Sequence, residues 1–252
     1  MAGTVSDNHA KEADYLFDKT YECPACYQKF KARTVKNGRM RLIQTDMDLR
    51  PVYEQGEPLK YEAIVCPECG YSALGKFFGS LTPTQGKAIK ENISSAFKAK
   101  IECKETYSYE EAIIRYKLSY ASTVAKHGKT SEKAYTCLKL GWLYRSMQEH
   151  MDPSLKDYEK RQQDAHKKER EFLKNALDGF VEARQTEDYP MCGMDEITVE
   201  YLLAVLSMEF EEYDMAGKLI SGILASHSAN SRMKDKARDI KEMLMQRMKE
   251  KA

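Results

Sequence analysis

The pattern of apolar and polar positions changes character near residue 80. Before it the chain reads as short strands broken by turns; after it the pattern is helical almost throughout. In the first part, Val35 to Met40 sets Asn37-Gly38 between two extended runs, which predicts a two-residue hairpin turn. Tyr61 to Val65 reads as a further short strand. The helical part opens on Thr82-Pro83-Thr84-Gln85, with Thr82 as cap, Pro83 at the first helical position and Gln85 three residues after the cap. Its breaks fall at His127-Gly128, Met151-Asp152-Pro153, Tyr189 to Gly193 and Ser226 to Asn230. These divisions predict a disordered tail over residues 1–14, a small domain over 15–82 and a helical domain over 83–252.

Within the helical part, spacings recur that resemble tetratricopeptide repeats. Leu140-Gly141 followed by Tyr144 matches the first-helix pattern, in which a small residue lets a second helix approach closely. Ala176, Phe180 and Ala183 match the second-helix pattern, after an insertion of about 23 residues relative to the repeat period of about 34. Leu203-Ala204 with Tyr213, Ala216 and Ile220 repeats the arrangement without interruption, and Tyr109, Ala112 and Tyr116 give an earlier second-helix match. Met233 to Met248 supplies an amphipathic capping helix. Lys156 to Arg170 is a mixed-charge stretch, read as the solvent-directed extension of the helix leading to Phe172.

Two Cys-x-x-Cys pairs change the picture of the first part. Cys23-Pro24-Ala25-Cys26 and Cys66-Pro67-Glu68-Cys69 each offer two thiolates from one tight turn, and together they supply the four sulfurs of a tetrahedral structural site. Gly70 permits the left-handed backbone such a knuckle uses; Tyr27 stands at the matching position of the first pair. Thirty-nine residues separate Cys26 from Cys66, against about 15–20 in compact ribbons. Doubling a loop costs only about 0.6 kcal/mol, small beside the roughly 10–16 kcal/mol of a structural zinc site. A redox role fits less well, because such pairs open a helix and Pro67 with Gly70 disfavours one. Zn²⁺ is the expected ion, with iron the alternative for the same four sulfurs.

Composition and charge narrow the function classes. Apolar content of 42% with 31% charged residues describes a globular protein, and no apolar run approaches the roughly 18 residues of a membrane span. Met1 to Asp14 is polar and lacks a signal-like apolar core. Seven cysteines, an odd number, point to a reducing cytoplasm rather than a disulfide framework. A net charge of +1 makes no global case for nucleic acid or membrane.

Catalytic patterns are largely missing. The five histidines are scattered, and no His-Glu-x-x-His occurs. Gly79 to Lys87 has the wrong glycine spacing for a phosphate loop, and Gly70 to Gly75 is one residue too long for a nucleophile elbow. Cys103 and Cys137 are expected on helices as buried small hydrophobes, and Cys192 on a connection. Two other features remain. Lys29, Lys31, Arg33, Lys36, Arg39 and Arg41 fall within an acid-free stretch over 29–41, a basic hairpin of the kind that contacts nucleic acid, although the Asn37-Gly38 register divides its charges between two faces. Asp46-Met47-Asp48-Leu49-Arg50-Pro51-Val52-Tyr53 is read as a surface loop pairing Asp48 with Arg50; Asp46 or Asp48 would be the residue of choice for an enzyme with an inter-domain site.

The paired knuckles, the Asp46 to Tyr53 stretch and a helical tail reaching Tyr201-Leu202-Leu203-Ala204 resemble an uncharacterised bacterial family, domain of unknown function 2225, over roughly Phe17 to Met245. The resemblance implies a cytoplasmic protein of unassigned activity. The residues and the resemblance together lead to a mainly α protein with a small β zinc ribbon. An N-terminal four-cysteine module is followed by a tetratricopeptide-repeat-like superhelix that offers a non-enzymatic surface to a protein or peptide partner.

Overall fold

The computed structural model describes residues 12–36 and 38–251. Of the tail expected over residues 1–14, residues 1–11 lie outside that description, whereas 12–14 form a helical turn and belong to the fold. Glu12 is buried there and takes hydrogen bonds from Lys60 Nζ at 2.8 Å and Tyr61 Oη at 2.9 Å.

Among the described residues six short strands make three separate antiparallel pairs. β1 (Leu16–Glu22) pairs with β2 (Lys29–Val35), running from Leu16 opposite Val35 to Glu22 opposite Lys29. β3 (Leu42–Thr45) pairs with β4 (Pro51–Tyr53), and β5 (Ala63–Val65) with β6 (Ser72–Leu74). The hairpin expected at Asn37-Gly38 does not form, because β2 turns back onto β1 instead of pairing with β3; Asn37 itself lies outside the described residues. The competing turn is the first cysteine knuckle, which closes β1 onto β2. A 3-10 turn over Pro58–Tyr61 occupies the start of the strand expected from Tyr61.

The helical part begins where its sequence signals place it. Thr82 caps α1 (Pro83–Ile89), accepting from the Gln85 amide while the Gln85 side chain takes the Thr82 amide. Ser108 and Glu111 make the same reciprocal cap on α2 (Tyr109–Ala125). Then follow α3 (Thr130–Glu149), α4 (Tyr158–Thr186), α5 (Glu196–Glu209), α6 (Tyr213–Ala225) and α7 (Ser231–Lys251). From α2 onward each helix packs on the next in chain order. α3 and α4 meet most closely, since a Cβ on Gly141 would come within 2.6 Å of Leu173, and one on Gly179 within 2.9 Å of Ala134. The mixed-charge stretch within α4 does not simply project into solvent: Ala165 and Glu169 are buried against α3.

Two cores share one hairpin. The larger runs through the helices and includes Leu59, Ala63 and Leu74; the smaller surrounds the cysteines with Phe30, Tyr71, Phe78 and Ile89. Strand side chains alternate between faces, so Ala63 enters the helical core while Ile64 enters the cysteine core. Every residue of β5 and β6 is buried. Among the described residues no helix is long and apolar enough to cross a membrane.

Candidate metal centre

Each cysteine pair occupies the turn of its hairpin. In the first, the Tyr27 amide donates to Cys23 O at 2.8 Å, and the Cys23 amide to Gln28 O at 3.0 Å. In the second, the Gly70 amide donates to Cys66 O at 3.0 Å, and the Cys66 amide to Tyr71 O at 2.9 Å. The two knuckles are thus the same turn built twice. Both need a left-handed residue after the second cysteine: Gly70 has φ +73° and Tyr27 φ +62°. Glycine has a further reason at 70, where a Cβ would lie 2.4 Å from the Phe97 ring.

The turns bring Cys23, Cys26, Cys66 and Cys69 together, as their spacing predicts. All four sulfurs lie within 4.8 Å of one another. Cys23 Sγ is 3.6 Å from Cys69 Sγ, and Cys26 Sγ is 3.6 Å from Cys66 Sγ. A metal–sulfur bond of about 2.3 Å implies tetrahedral sulfur–sulfur edges of roughly 3.8 Å, so the set fits one ion. The separations are far beyond the roughly 2.05 Å of a disulfide. Amides of Ala25 and Cys26 aim at the Cys23 sulfur, those of Glu68 and Cys69 at the Cys66 sulfur, and that of Tyr71 at Cys69. Such donors offset thiolate charge and orient the ligands. Hydrogen bonds from Cys23 and Cys69 hold the Cys66 thiol below the usual cysteine range. Cys23 moves the opposite way for the same reason, as the donor in that contact. Cys23 and Cys66 are fully buried, beneath the aromatic group Tyr21, Phe30, Tyr71 and Phe78.

The Asp46–Tyr53 stretch is no surface loop. Asp48 is 4% exposed and Arg50 3%. Asp48 accepts from Trp142 Nε1 at 2.9 Å and from both terminal nitrogens of Arg145, at 3.1 and 2.9 Å. Arg50 holds Asp46 at 2.7 Å and grips both oxygens of Glu149, at 2.8 and 2.5 Å. Arg145 closes the network on Glu169 of α4 at 2.7 Å. Burial opposes the charge of Arg145, but Asp48 and Glu169 hold it firmly protonated. The expected Asp48–Arg50 pairing survives only as a 3.4 Å contact from the Arg50 amide. Trp142, Arg145 and Glu149 share one face of α3, so the loop docks along that helix. Asp46 and Asp48 are both taken up in ion pairs.

Nearby, Glu57 accepts a short hydrogen bond from Ser146 Oγ and another from the Leu59 amide at 3.2 Å. Burial pushes its carboxyl above the ordinary range, and these bonds only partly offset that. Ser146 is fully buried.

The basic stretch is dispersed. Lys29, Lys31 and Arg33 share the outward face of β2, because Phe30 and Ala32 point inward. Their cross-strand neighbours Glu22, Thr20 and Asp18 include two acids, and Arg33 pairs with Asp18 at 3.0 Å. Cys103 is exposed on a connection, not buried on a helix. Cys137 is buried on α3, where burial pushes its thiol up to about 12. Burial likewise lifts Cys192 to about 11, which leaves it little thiolate.

A family model described as "Uncharacterized protein conserved in bacteria (DUF2225)" matches residues 16–244. No curated protein and no solved structure matches the chain.

Proposed function

The chain belongs to this family of uncharacterised bacterial proteins, and from its geometry we propose a cytoplasmic, non-enzymatic adaptor: a zinc-stapled ribbon that braces a repeat-like helical stack, whose groove receives a protein or peptide partner. The reading is supported above all by a cleft of about 390 Å³ between α2, α3 and α4. Its floor is apolar and adaptable, with Ile113, Tyr144, Met147 and Met151, and Ile114 stands 49% exposed at its edge. Glu110, Arg161, Asp164 and Lys168 set both signs of charge around it. An apolar floor with a charged margin suits the nonpolar face of an amphipathic helix. The order of helix contacts and the close α3–α4 approach support the tetratricopeptide-like description. Zn²⁺ is the ion favoured by four cysteine sulfurs in a closed site; iron in the same set would colour the protein red. Cys103, Cys137 and Cys192, which stand outside the four-sulfur set and are free thiols, support a reducing compartment.

The test is photocrosslinking from Ile114 in the native host. A discrete crosslinked partner, lost in Met147→Arg and kept when Lys29, Lys31, Arg39 and Arg41 are all changed to Gln, supports the groove. Capture of nucleic acid, lost in the quadruple variant and kept in Met147→Arg, replaces the adaptor with the nucleic-acid reading.

A further inference from the structure

A second cavity, also about 390 Å³, lies where the strands meet α3. One wall is apolar and aromatic, made by Tyr21, Val35, Tyr61, Ile64 and Leu74. The opposite side carries Lys139, which is only 6% exposed and yet lines the open space. An ammonium has three donors. Glu62 takes one at 3.0 Å, and the Tyr135 and Trp142 ring centroids lie 5.2 and 5.1 Å from the nitrogen, so a donor remains to serve a ligand in the open space. Burial works against the charge, but Glu62 and Tyr135 outweigh it and hold Lys139 above the usual lysine range. Lys76, exposed at the cavity margin, sits 3.7 Å from the Tyr135 ring centroid, and Lys139 5.2 Å from it. Lys76 and Lys139 against Glu62 give the lining a net charge of +1.

We propose that this cavity binds a small organic monocarboxylate, with the acid group on Lys139 and Tyr135 and the apolar body against the Tyr21–Leu74 wall. The volume falls within the roughly 300–1,000 Å³ of small-molecule sites. A monoanion neutralises the lining, whereas a phosphate monoester, at about −1.5 to −2, overshoots it. The assignment rests on the cavity alone and is independent of the adaptor reading.

Trp142, the single tryptophan, reports on the site because its ring lies 5.1 Å from Lys139 Nζ. The metal-loaded full chain is titrated with benzoate, phenyl phosphate and benzyl alcohol, followed by Trp142 fluorescence and calorimetry. Benzoate should bind saturably at millimolar concentration or below. The other two should bind at least about tenfold more weakly, a difference of about 1.4 kcal/mol. Lys139→Met should lose about tenfold or more for benzoate. If that variant does not fold, Tyr135→Phe, which deletes only a hydroxyl, should lose a smaller but measurable share. Absence of saturable benzoate binding overturns the site. Equal binding of benzyl alcohol, or unchanged affinity in whichever variant folds, overturns anion recognition. Equal or tighter binding of phenyl phosphate overturns the carboxylate assignment.

Discussion

The β1–β2 and β5–β6 hairpins each carry half of the cysteine set, yet they are held in opposite ways. β5 and β6 are buried along their whole length, with one face in the helical core and the other among the cysteines. Ser72 ties β6 to α2 through the Arg115 carbonyl at 3.2 Å and the Ser122 hydroxyl at 3.1 Å. β1 exposes most of its residues, and β2 buries only Phe30 and Ala32. An isolated two-stranded hairpin is marginal in water. A metal held by the four sulfurs would therefore fasten an exposed hairpin to one that the helices already hold. A large separation between the pairs is tolerable for that reason, since the intervening loop is anchored separately on α3.

The largest effect expected from this difference is that of Cys66→Ser. The variant should lose its metal, and the β1–β2 amides should exchange freely in hydrogen-exchange experiments. The helical circular dichroism should persist, because β5–β6 keeps its packing against α2. Collapse of the helical signal would mean that both hairpins depend on the ion alike.

Asp48→Ala attacks the buried side without touching a cysteine. It removes the acceptor of Trp142 and one of the three carboxylates that hold Arg145, which keeps Glu169 and Asp46, so the loss should fall below the about 3–5 kcal/mol of a fully broken buried pair. Chemical denaturation should register that loss, and Trp142 emission should shift, while metal content stays at the wild-type level. Unchanged stability would return the Asp46–Tyr53 stretch to the surface.

Gly141→Ala should have the smallest effect and confine it to the helices. Overpacking against Leu173 costs about 1–3 kcal/mol, of which roughly 1 kcal/mol returns through helix propensity. A net loss of up to about 2 kcal/mol by denaturation, with metal content and Trp142 emission unaltered, fits the close α3–α4 approach. A gain in stability would show that the helices have room to spare there.

What was legible in the chain was local chemistry. The cysteine spacing foretold that the four sulfurs come together, and Thr82 with Pro83 and Gln85 marked the start of the helices, because each signal acts within a few residues. Asn37-Gly38 was equally local but misleading: the Cys23–Cys26 knuckle closes β1 onto β2 first and leaves β2 with no need of β3. The role of Asp46 to Tyr53 was hidden, since Asp48 reaches Trp142 and Arg145 at separations of 94 and 97 residues. Lys139 and Glu62 stand 77 apart. One signal was present in part: α3 carries Lys139, Trp142, Arg145 and Glu149 amid apolar residues, too many polar groups for a core helix unless something polar docks along it.

Metal content with ligand geometry tests the central claim most directly. Protein purified anaerobically without chelators should contain one zinc per chain by elemental analysis. X-ray absorption should find that zinc bound by four sulfurs at about 2.3 Å. Metal-free protein with an intact β1–β2 hairpin, or an ion bound by fewer than four sulfurs, would contradict the claim that one metal joins the two hairpins.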